Sequence, residues 1–580
     1  MSSRLGADRT RDWQTRVGPA VGVGRYEWDL IVVGSGAAGL STAYSASHAG
    51  ARVLVLEQAP VVGGTTAVSG GMVWLPATYK SSDTRAAAAA YLRATVPDFD
   101  SDVRLHTFIE HADAALRALE SHHVFRLRPV PTYPDYEPDL PGATLRGRVL
   151  EPEPYDARQL GDAFKFIRSP LPEFMLWGGM MISRADVVHL RRVFRSARST
   201  WRTGGLLFRY LSQRWGGAHR GTTLYLGNAL IARLMHAALQ SGASIRTSSV
   251  VNRLSVTEGR VTGVYVSSSA DSSAEVELHA CRGVVLATGG LSHDSELRAS
   301  YLPTGAGSLS ATVPVPSGKT GVRLAMHAGA MAPAATKNGA FWVPASCFNR
   351  ADGTQGVFPH TVTDRAKPGL IAIGSDGRRF CNEAVSYHAF VRAQLAKRPV
   401  AHPAWLLCDR RFLWRYGLGK IRPFTVSLGR DLKSGYLRRG KTLALLAESI
   451  GVDAQVLTRT VERYNHDARR GCDGEFGRGS DAYQRYMGDP ECSPNPNVAP
   501  LEQPPFYAVA VYPADLGMAA GLHTDSDSRV LDPTGLPING LYACGNDMQS
   551  VMHGAYPGPG ITLGPALVFG WRAACHATGM

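Results

Sequence analysis

From Asp29 the chain turns apolar through Leu30, Ile31, Val32 and Val33 and then breaks at glycine. An Ala/Ser-rich segment follows and closes near Gly50, and Arg52 to Leu56 (RVLVL) is the next short apolar run. Short β-rich runs on either side of a helix-forming segment read as strand, turn, helix, strand, the opening half of a doubly wound sheet. Val261 to Val266 and Val284 to Leu286 repeat the strand pattern, a Pro-rich loop runs from Pro129 to Pro141, and the final stretch returns to strand–turn–helix. From about Ala340 to Gly517 the pattern is mixed, with aromatics and several loops, and predicts a separate cap. The expected architecture is α/β: a discontinuous Rossmann-like domain over 27–339 and 518–580, with an α+β catalytic cap over 340–517. Residues 1–26 hold Arg4, Asp8, Arg9, Arg11, Asp12 and Arg16 and no apolar run, so they are expected to be a flexible arm.

Gly34-Ser35-Gly36-Ala37-Ala38-Gly39 is G-x-G-x-x-G directly after the first strand, and Glu57 ends the second strand 18 residues after Gly39. Gly34 permits the tight turn, Gly36 lets the backbone approach a pyrophosphate, and Gly39 lets helix and strand pack closely. The Glu57 carboxylate would accept from ribose hydroxyls and repel a 2′-phosphate. FAD and NAD share that fingerprint, and later segments decide between them. Gly63, Gly64, Thr65, Thr66, Ser69, Gly70 and Gly71 would cradle the second phosphate and let the backbone run beside a flavin ring. Ala287-Thr288-Gly289 is another close-approach turn. Gly540 to Asn546 brings a strand back toward the cofactor, and Tyr556-Pro557-Gly558-Pro559-Gly560 precedes a terminal apolar helix. A helix N-terminus aimed at the flavin would stabilise its anionic reduced form, a return that an NAD enzyme does not need. FAD is therefore the expected cofactor, with Val251, Gly545, Asn546, Gly560, Thr562 and Leu563 among its contacts and no metal.

Length and composition add constraints. At 580 residues, 44% hydrophobic and 19% charged, the chain suits a globular enzyme of more than one domain. The formal charge is +14, and a net +8 of it lies in one segment. That segment carries Arg184, Arg191, Arg192, Arg195, Arg198, Arg202, Arg209, Arg214 and Arg220 against Asp186 alone. The rest is only mildly basic, which argues against a nucleic-acid surface. The segment, about 184–220, reads as an insertion with helical spacing at Leu190, Val193, Phe194, Ala197 and Trp201, and again at Leu207, Tyr210, Leu211 and Trp215, with arginines mostly on the other face. A peripheral contact of 185–215 with the inner membrane surface is one expectation. A helix that packs its apolar stripe on its own protein and solvates its arginines is the other. Eight scattered cysteines without a C-x-x-C pair suit a reduced, cytoplasmic protein. No apolar run reaches the ~18 residues of a spanning helix.

The order GSGAAG, Glu57, GGTT, SGG, ATGG, a cap and then GLYACGN resembles the flavoproteins of the fumarate reductase and succinate dehydrogenase superfamily. Within it the chain looks most like the 3-ketosteroid Δ1-dehydrogenases. Pro134-Asp135-Tyr136, Arg379 to Tyr387 and the C-terminal YPGPG carry that likeness across nearly the whole chain. The resemblance implies that Tyr136 and Tyr387 form the proton-abstracting pair, with Tyr136 the hydrogen-bond partner of the base Tyr387. It also implies that the Tyr556 hydroxyl and the Gly560 N–H hold the C3 carbonyl, and that FAD is noncovalent, because the GGTT region lacks a linking histidine. A phenol and a backbone N–H on one oxygen form an oxyanion hole, worth ~3 kcal/mol per donor. A steroid substrate and an electron acceptor (a quinone or electron carrier) follow as partners. The family's second aromatic after Tyr136 is replaced by Glu137. The alternatives carried forward are a 3-ketosteroid Δ4-(5α)-dehydrogenase, another fumarate reductase-like enzyme, and a sterol-binding flavoprotein without turnover.

Overall fold

The computed structural model describes the chain apart from residues 1–11, 20–26, 122, 194–195, 270–273, 316, 335–337 and 363. Strands whose two faces are both apolar must be covered on both sides. Strands β1 (Trp28–Val33) and β2 (Val53–Leu56) meet that condition, with Leu30 to Val32 and Val53 to Val55 fully buried. They pair in parallel, Leu30 opposite Val53 and Val33 opposite Leu56, and α1 (Ala37–His48) crosses between them. A Cβ at Gly39 would stand 2.0 Å from the Gly34 carbonyl oxygen, so the predicted close packing of helix on turn is real.

The arginine-rich segment forms two helices, α2 (Arg184–Arg191) and α3 (Ala197–Trp215). Helix α4 (Leu226–Gln240) then packs on α1 and leads to β3 (Ser244–Thr247), which lies parallel to β2. The hairpin β4 (Ser249–Thr257) and β5 (Arg260–Ser268) runs antiparallel into β6 (Val276–Leu286). The end of β6 lies parallel to β1 and completes the centre of a nine-stranded sheet. A second sheet of six strands pairs β7 (Ala340–Asn349) antiparallel to β8 (Phe506–Met518), with α5 (Tyr387–Ala396) packed on β7. The chain returns to the first sheet through β9 (Pro537–Ala543), parallel to β6, and ends in α6 (Leu563–Thr578) against α1.

Two expectations change here. Residues 12–19 do not form a free arm: Val17–Pro19 adds a parallel edge strand beside β3, and Trp13 stacks on His236 with ring centroids 4.6 Å apart. A three-residue strand of Val17, Gly18 and Pro19 is too short to show a periodicity, while residues 1–11 and 20–26 lie outside the described residues. On α3 the two apolar stripes divide differently from the spacing argument. Leu206 and Tyr210 turn inward onto Met180 in a small cluster separate from the main core. Trp201, Phe208 and Trp215, seven residues apart and so on one face, are 87%, 70% and 80% exposed. The arginines flank that face. Phe194 and Arg195 lie outside the described residues. Among the described residues no helix is long and apolar enough to cross a membrane.

Candidate active site

The cofactor cradle assembles at the carboxyl ends of β1, β2 and β6. Gly34 (φ +107°) turns the chain out of β1, and a Cβ there would lie 2.2 Å from the Ala287 carbonyl oxygen, so only glycine fits. Helix α1 begins at Gly36, which has no side chain to cap it; the Thr66 hydroxyl accepts from the Ala37 N–H at 3.2 Å, so the next N–H groups, of Ala38 and Gly39, are the ones left for an anionic ligand. Glu57 is held at the end of β2 by the Ser35 hydroxyl, the Ser35 N–H (3.1 Å) and the Ala59 N–H (2.9 Å). The same Ser35 hydroxyl accepts from the Gly63 N–H at 3.0 Å. Helix α6 starts without a side-chain cap, at Thr562. Both helices begin at the walls of one cavity of about 840 Å³.

That cavity is lined by Gly34, Gly36, Ala38, Glu57, Gly64, Thr65, Thr66, Ser69, Gly70, Gly71, Val251, Ala287, Thr288, Gly289, Gly545, Asn546, Gly560, Thr562 and Leu563. Of the expected contacts only Gly39 and Gly63 are absent from its walls. Both are packing residues: a Cβ at Gly63 would meet Ala67 at 2.8 Å. A Cβ at Gly70 or Gly289 would meet nothing within 4 Å, so the glycines leave a channel open beside the backbone. The buried Nε of Arg168, also on the wall, has no hydrogen-bond partner. The start of α1, an acidic strand end and an unused guanidinium donor fit the pyrophosphate and ribose of FAD, whereas at the start of α6 the Leu563 and Gly564 N–H groups are taken by the Gly560 carbonyl.

Four tyrosines close the far part of the same cavity: Tyr133, Tyr136, Tyr387 and Tyr556. Tyr387 is the first residue of α5, whose end is capped by the Ser386 hydroxyl accepting from the Ala389 N–H. Its hydroxyl donates to that of Tyr556 at 2.8 Å, so the Tyr556 proton is left to point elsewhere. The hydrogen bond expected between Tyr136 and Tyr387 is not formed. The Tyr136 hydroxyl is buried without a partner, although it lies near enough to favour the ionised form of Tyr387. The Tyr136 ring is 5.7 Å from the rings of both Tyr387 and Tyr556. Burial pushes Tyr136 and Tyr387 well above 10, and Tyr556 up to about 12. Gly560 (φ +94°) lines the cavity, and no main-chain acceptor among the described residues takes its N–H. A Cβ at Gly560 would strike the Met72 carbonyl oxygen at 2.3 Å.

Some contributors escaped the sequence reading. Asp547 is fully buried and fixes the Thr288–Gly290 turn, accepting from both main-chain N–H groups and from the Thr288 hydroxyl. His388 accepts from the Trp342 N–H and is held neutral, burial pulling it down to about 3. It packs on Tyr556, with ring centroids 5.6 Å apart. The only local hint of these roles was proximity to the motifs, Asp547 one residue past Asn546 and His388 one past Tyr387.

A family model described as an FAD binding domain matches residues 29–563. This is an FAD-binding flavoprotein oxidoreductase. The chain is 37% identical to the 4-oxocyclohex-2-ene-1-carboxylate 5-dehydrogenase of Sinomonas cyclohexanicum, over 94% of this chain and 92% of that one. It is 34% identical to the 3-oxosteroid 1-dehydrogenase of Mycolicibacterium smegmatis, over 94% and 96%. The crystal structure of the 3-ketosteroid Δ1-dehydrogenase of Sterolibacterium denitrificans, in complex with 1,4-androstadiene-3,17-dione, superposes with a TM-score of 0.86 at 36% identity, covering 95% of this chain and 99% of that one. The chain belongs to the 3-oxosteroid 1-dehydrogenase family of FAD-dependent oxidoreductases.

Proposed function

We propose that the chain desaturates the C1–C2 bond of 3-ketosteroids, including side-chain-bearing substrates of the cholest-4-en-3-one type. The observation that carries this is that Tyr556, Gly560 and Tyr387 line the same cavity as the cofactor cradle, with the two phenol oxygens 2.8 Å apart. The Tyr556 O–H and Gly560 N–H grip the C3 oxygen and stabilise the negative charge that grows there as C2 loses its proton. Tyr387, in its ionised form, takes that proton. Burial opposes the phenolate, while the positive end of α5 and the nearby Tyr136 hydroxyl favour it. FAD, held by the cradle of Gly34, Gly36, Glu57 and Thr66, would supply the two-electron oxidant for the hydride leaving C1, and a quinone or electron carrier would serve as the final acceptor.

The wall away from the cradle supports a large apolar substrate, with Leu171, Phe174, Met181, Ile182, Phe358 and Phe424 facing the cavity. A small keto acid, the substrate type in the name of the Sinomonas relative, would need a cation to hold its carboxylate. The cap-side cations on this wall are engaged: Lys420 pairs with Asp431 at 2.7 Å, and Arg422 donates to the Pro172, Glu173 and Met175 carbonyls. We also propose a cytoplasmic enzyme whose α3 rests on the inner membrane surface, its exposed Trp201, Phe208 and Trp215 inserted among lipid headgroups. Arg198, Arg209 and Arg214, which pair with no carboxylate among the described residues, would then meet anionic lipid.

The test is anaerobic addition of androst-4-ene-3,17-dione and of cholest-4-en-3-one, with the oxidised flavin band as readout. Bleaching with a product lighter by two hydrogens and a new C1–C2 double bond by NMR is expected. An unchanged band with tight binding would leave a sterol-binding flavoprotein instead.

A further inference from the structure

Asp135 sits beside Tyr136 in the chain, yet its side chain does not line the cavity. It is fully buried and belongs to an ion cluster behind the wall. One oxygen accepts from the Trp74 indole N–H at 2.9 Å. The other accepts from Arg148 Nη1 at 2.7 Å and from the Thr144 N–H at 3.0 Å. Arg148, itself 1% exposed, uses its remaining donors on Asp83 and the Gly142 carbonyl. Burying three charges is unfavourable unless each is hydrogen-bonded in a set geometry, and this cluster meets that condition.

The cluster reaches both chemical loops through Trp74. The Trp74 main-chain N–H donates to the Gly560 carbonyl at 3.2 Å. Its indole, joined to Asp135, fills the space beneath Gly558, where a Cβ would stand 2.6 Å from the indole nitrogen and 3.4 Å from the Asp135 carboxylate. The middle glycine of YPGPG is thus required by the Trp74–Asp135 pair. A second tie lies alongside it: the Pro557 carbonyl accepts from the Tyr136 N–H at 3.0 Å and from the Tyr91 hydroxyl at 2.6 Å. The loop bearing Tyr136 and the loop bearing Tyr556 and Gly560 are therefore mounted on one support, although 420 residues separate Tyr136 from Tyr556.

We propose that Trp74 and Asp135 are positioning residues that set the distance between the ketone-gripping donors and Tyr136, the residue packed against the base Tyr387, with Trp74 as the part common to both loops. This rests on the steroid desaturase reading above. Misplacing a reacting group by about 1 Å lowers rate by roughly 100-fold, and a rigid support guards against such drift.

Asp135→Ala would strip three hydrogen bonds from a buried cluster and endanger the fold, so Trp74→Phe and Asp135→Asn are the informative variants. Trp74→Phe keeps an aromatic ring while removing the indole donor to Asp135 and the part of the indole that fills the space beneath Gly558. In the FAD-loaded protein it is expected to retain cofactor and unfold near the parent temperature, while kcat on androst-4-ene-3,17-dione falls by about 10- to 100-fold. The deciding readout is binding. Estrone carries a phenolic oxygen where the enolate would sit, and 3-deoxyestrone lacks it. Trp74→Phe is expected to weaken estrone by about 10-fold and leave 3-deoxyestrone unchanged, with Asp135→Asn showing the same selectivity. Equal weakening of both ligands would reduce the cluster to a structural prop and overturn the proposal, as would estrone binding and kcat both equal to the parent's. A parent protein that fails to prefer estrone over 3-deoxyestrone would instead sink the ketone-gripping reading itself.

Discussion

Replacing Tyr556 with phenylalanine isolates the hydroxyl from everything else the residue does. The ring is held by Tyr136, Tyr387, Phe341 and His388, with centroids 5.1 to 5.7 Å away, and all of these contacts survive the substitution. What goes is one donor to the substrate oxygen and the acceptor of the Tyr387 O–H at 2.8 Å. Loss of a single oxyanion-hole donor lowers kcat by roughly 100- to 1000-fold, or ~2.7–4 kcal/mol. The stranded Tyr387 hydroxyl costs a further ~1–3 kcal/mol of stability, partly offset because a buried hydroxyl disappears with it. The pH profile should move in a less obvious way. Burial is the main cause of the elevated Tyr387 value, and the Tyr556 charge and hydrogen bond add to it. Without them the base ionises at lower pH, so the rising limb of kcat shifts toward neutral even as the plateau drops. The assay is stopped-flow flavin reduction by androst-4-ene-3,17-dione from pH 6 upward. A plateau within about threefold of the parent, smaller than one lost donor allows, would refute the ketone-gripping role. A limb displaced to higher pH would refute the account of Tyr387.

Three further outcomes can be checked. Gly560→Ala forces a Cβ to within 2.3 Å of the Met72 carbonyl oxygen at φ +94°, so the loop must move; turnover should fall by at least 100-fold, measured with bound flavin as the control. Acid should destabilise the protein steeply between about pH 4 and pH 2. Burial alone would raise the Asp364 carboxyl, but His360 and the Gly419 N–H override it and hold it at about 2; Asp102, bonded to His553 and Arg104, is lowered likewise. Depressed carboxyls contribute fully above the unfolded value near 4 and lose that contribution as pH falls through the folded one, about 2–3 kcal/mol for Asp364. Asp135 and Asp547, raised by burial to about 6, act in the opposite sense between pH 4 and 6 and add nothing below it. Thermal unfolding across pH 2–6 reads this, and a flat acid limb would contradict it. Finally, the triple change Trp201→Ser, Phe208→Ser and Trp215→Ser should abolish sedimentation with vesicles containing anionic lipid while leaving turnover of soluble androst-4-ene-3,17-dione unchanged. Undiminished sedimentation would remove α3 from the membrane.

The cradle was legible because its demands are local. A strand that ends in Gly34, a helix start at Gly36 and a carboxylate at Glu57 follow one another within thirty residues, and backbone sterics dictate the glycines. The YPGPG loop was recognisable by its likeness to the 3-ketosteroid Δ1-dehydrogenases, although its middle glycine was not explained by its own neighbours. Tertiary structure alone decided that Trp74 and Asp135 occupy the space under Gly558, since those contacts join segments far apart in sequence. It decided that Tyr387 bonds Tyr556 and leaves Tyr136 without a partner, a choice set by how α5 meets the C-terminal loop. It also decided which stripe of α3 faces water: helical spacing identifies two apolar faces, and only the neighbour that Leu206 and Tyr210 pack against tells inside from outside. Periodicity constrains which residues share a side, but which side is buried depends on partners the local sequence does not contain.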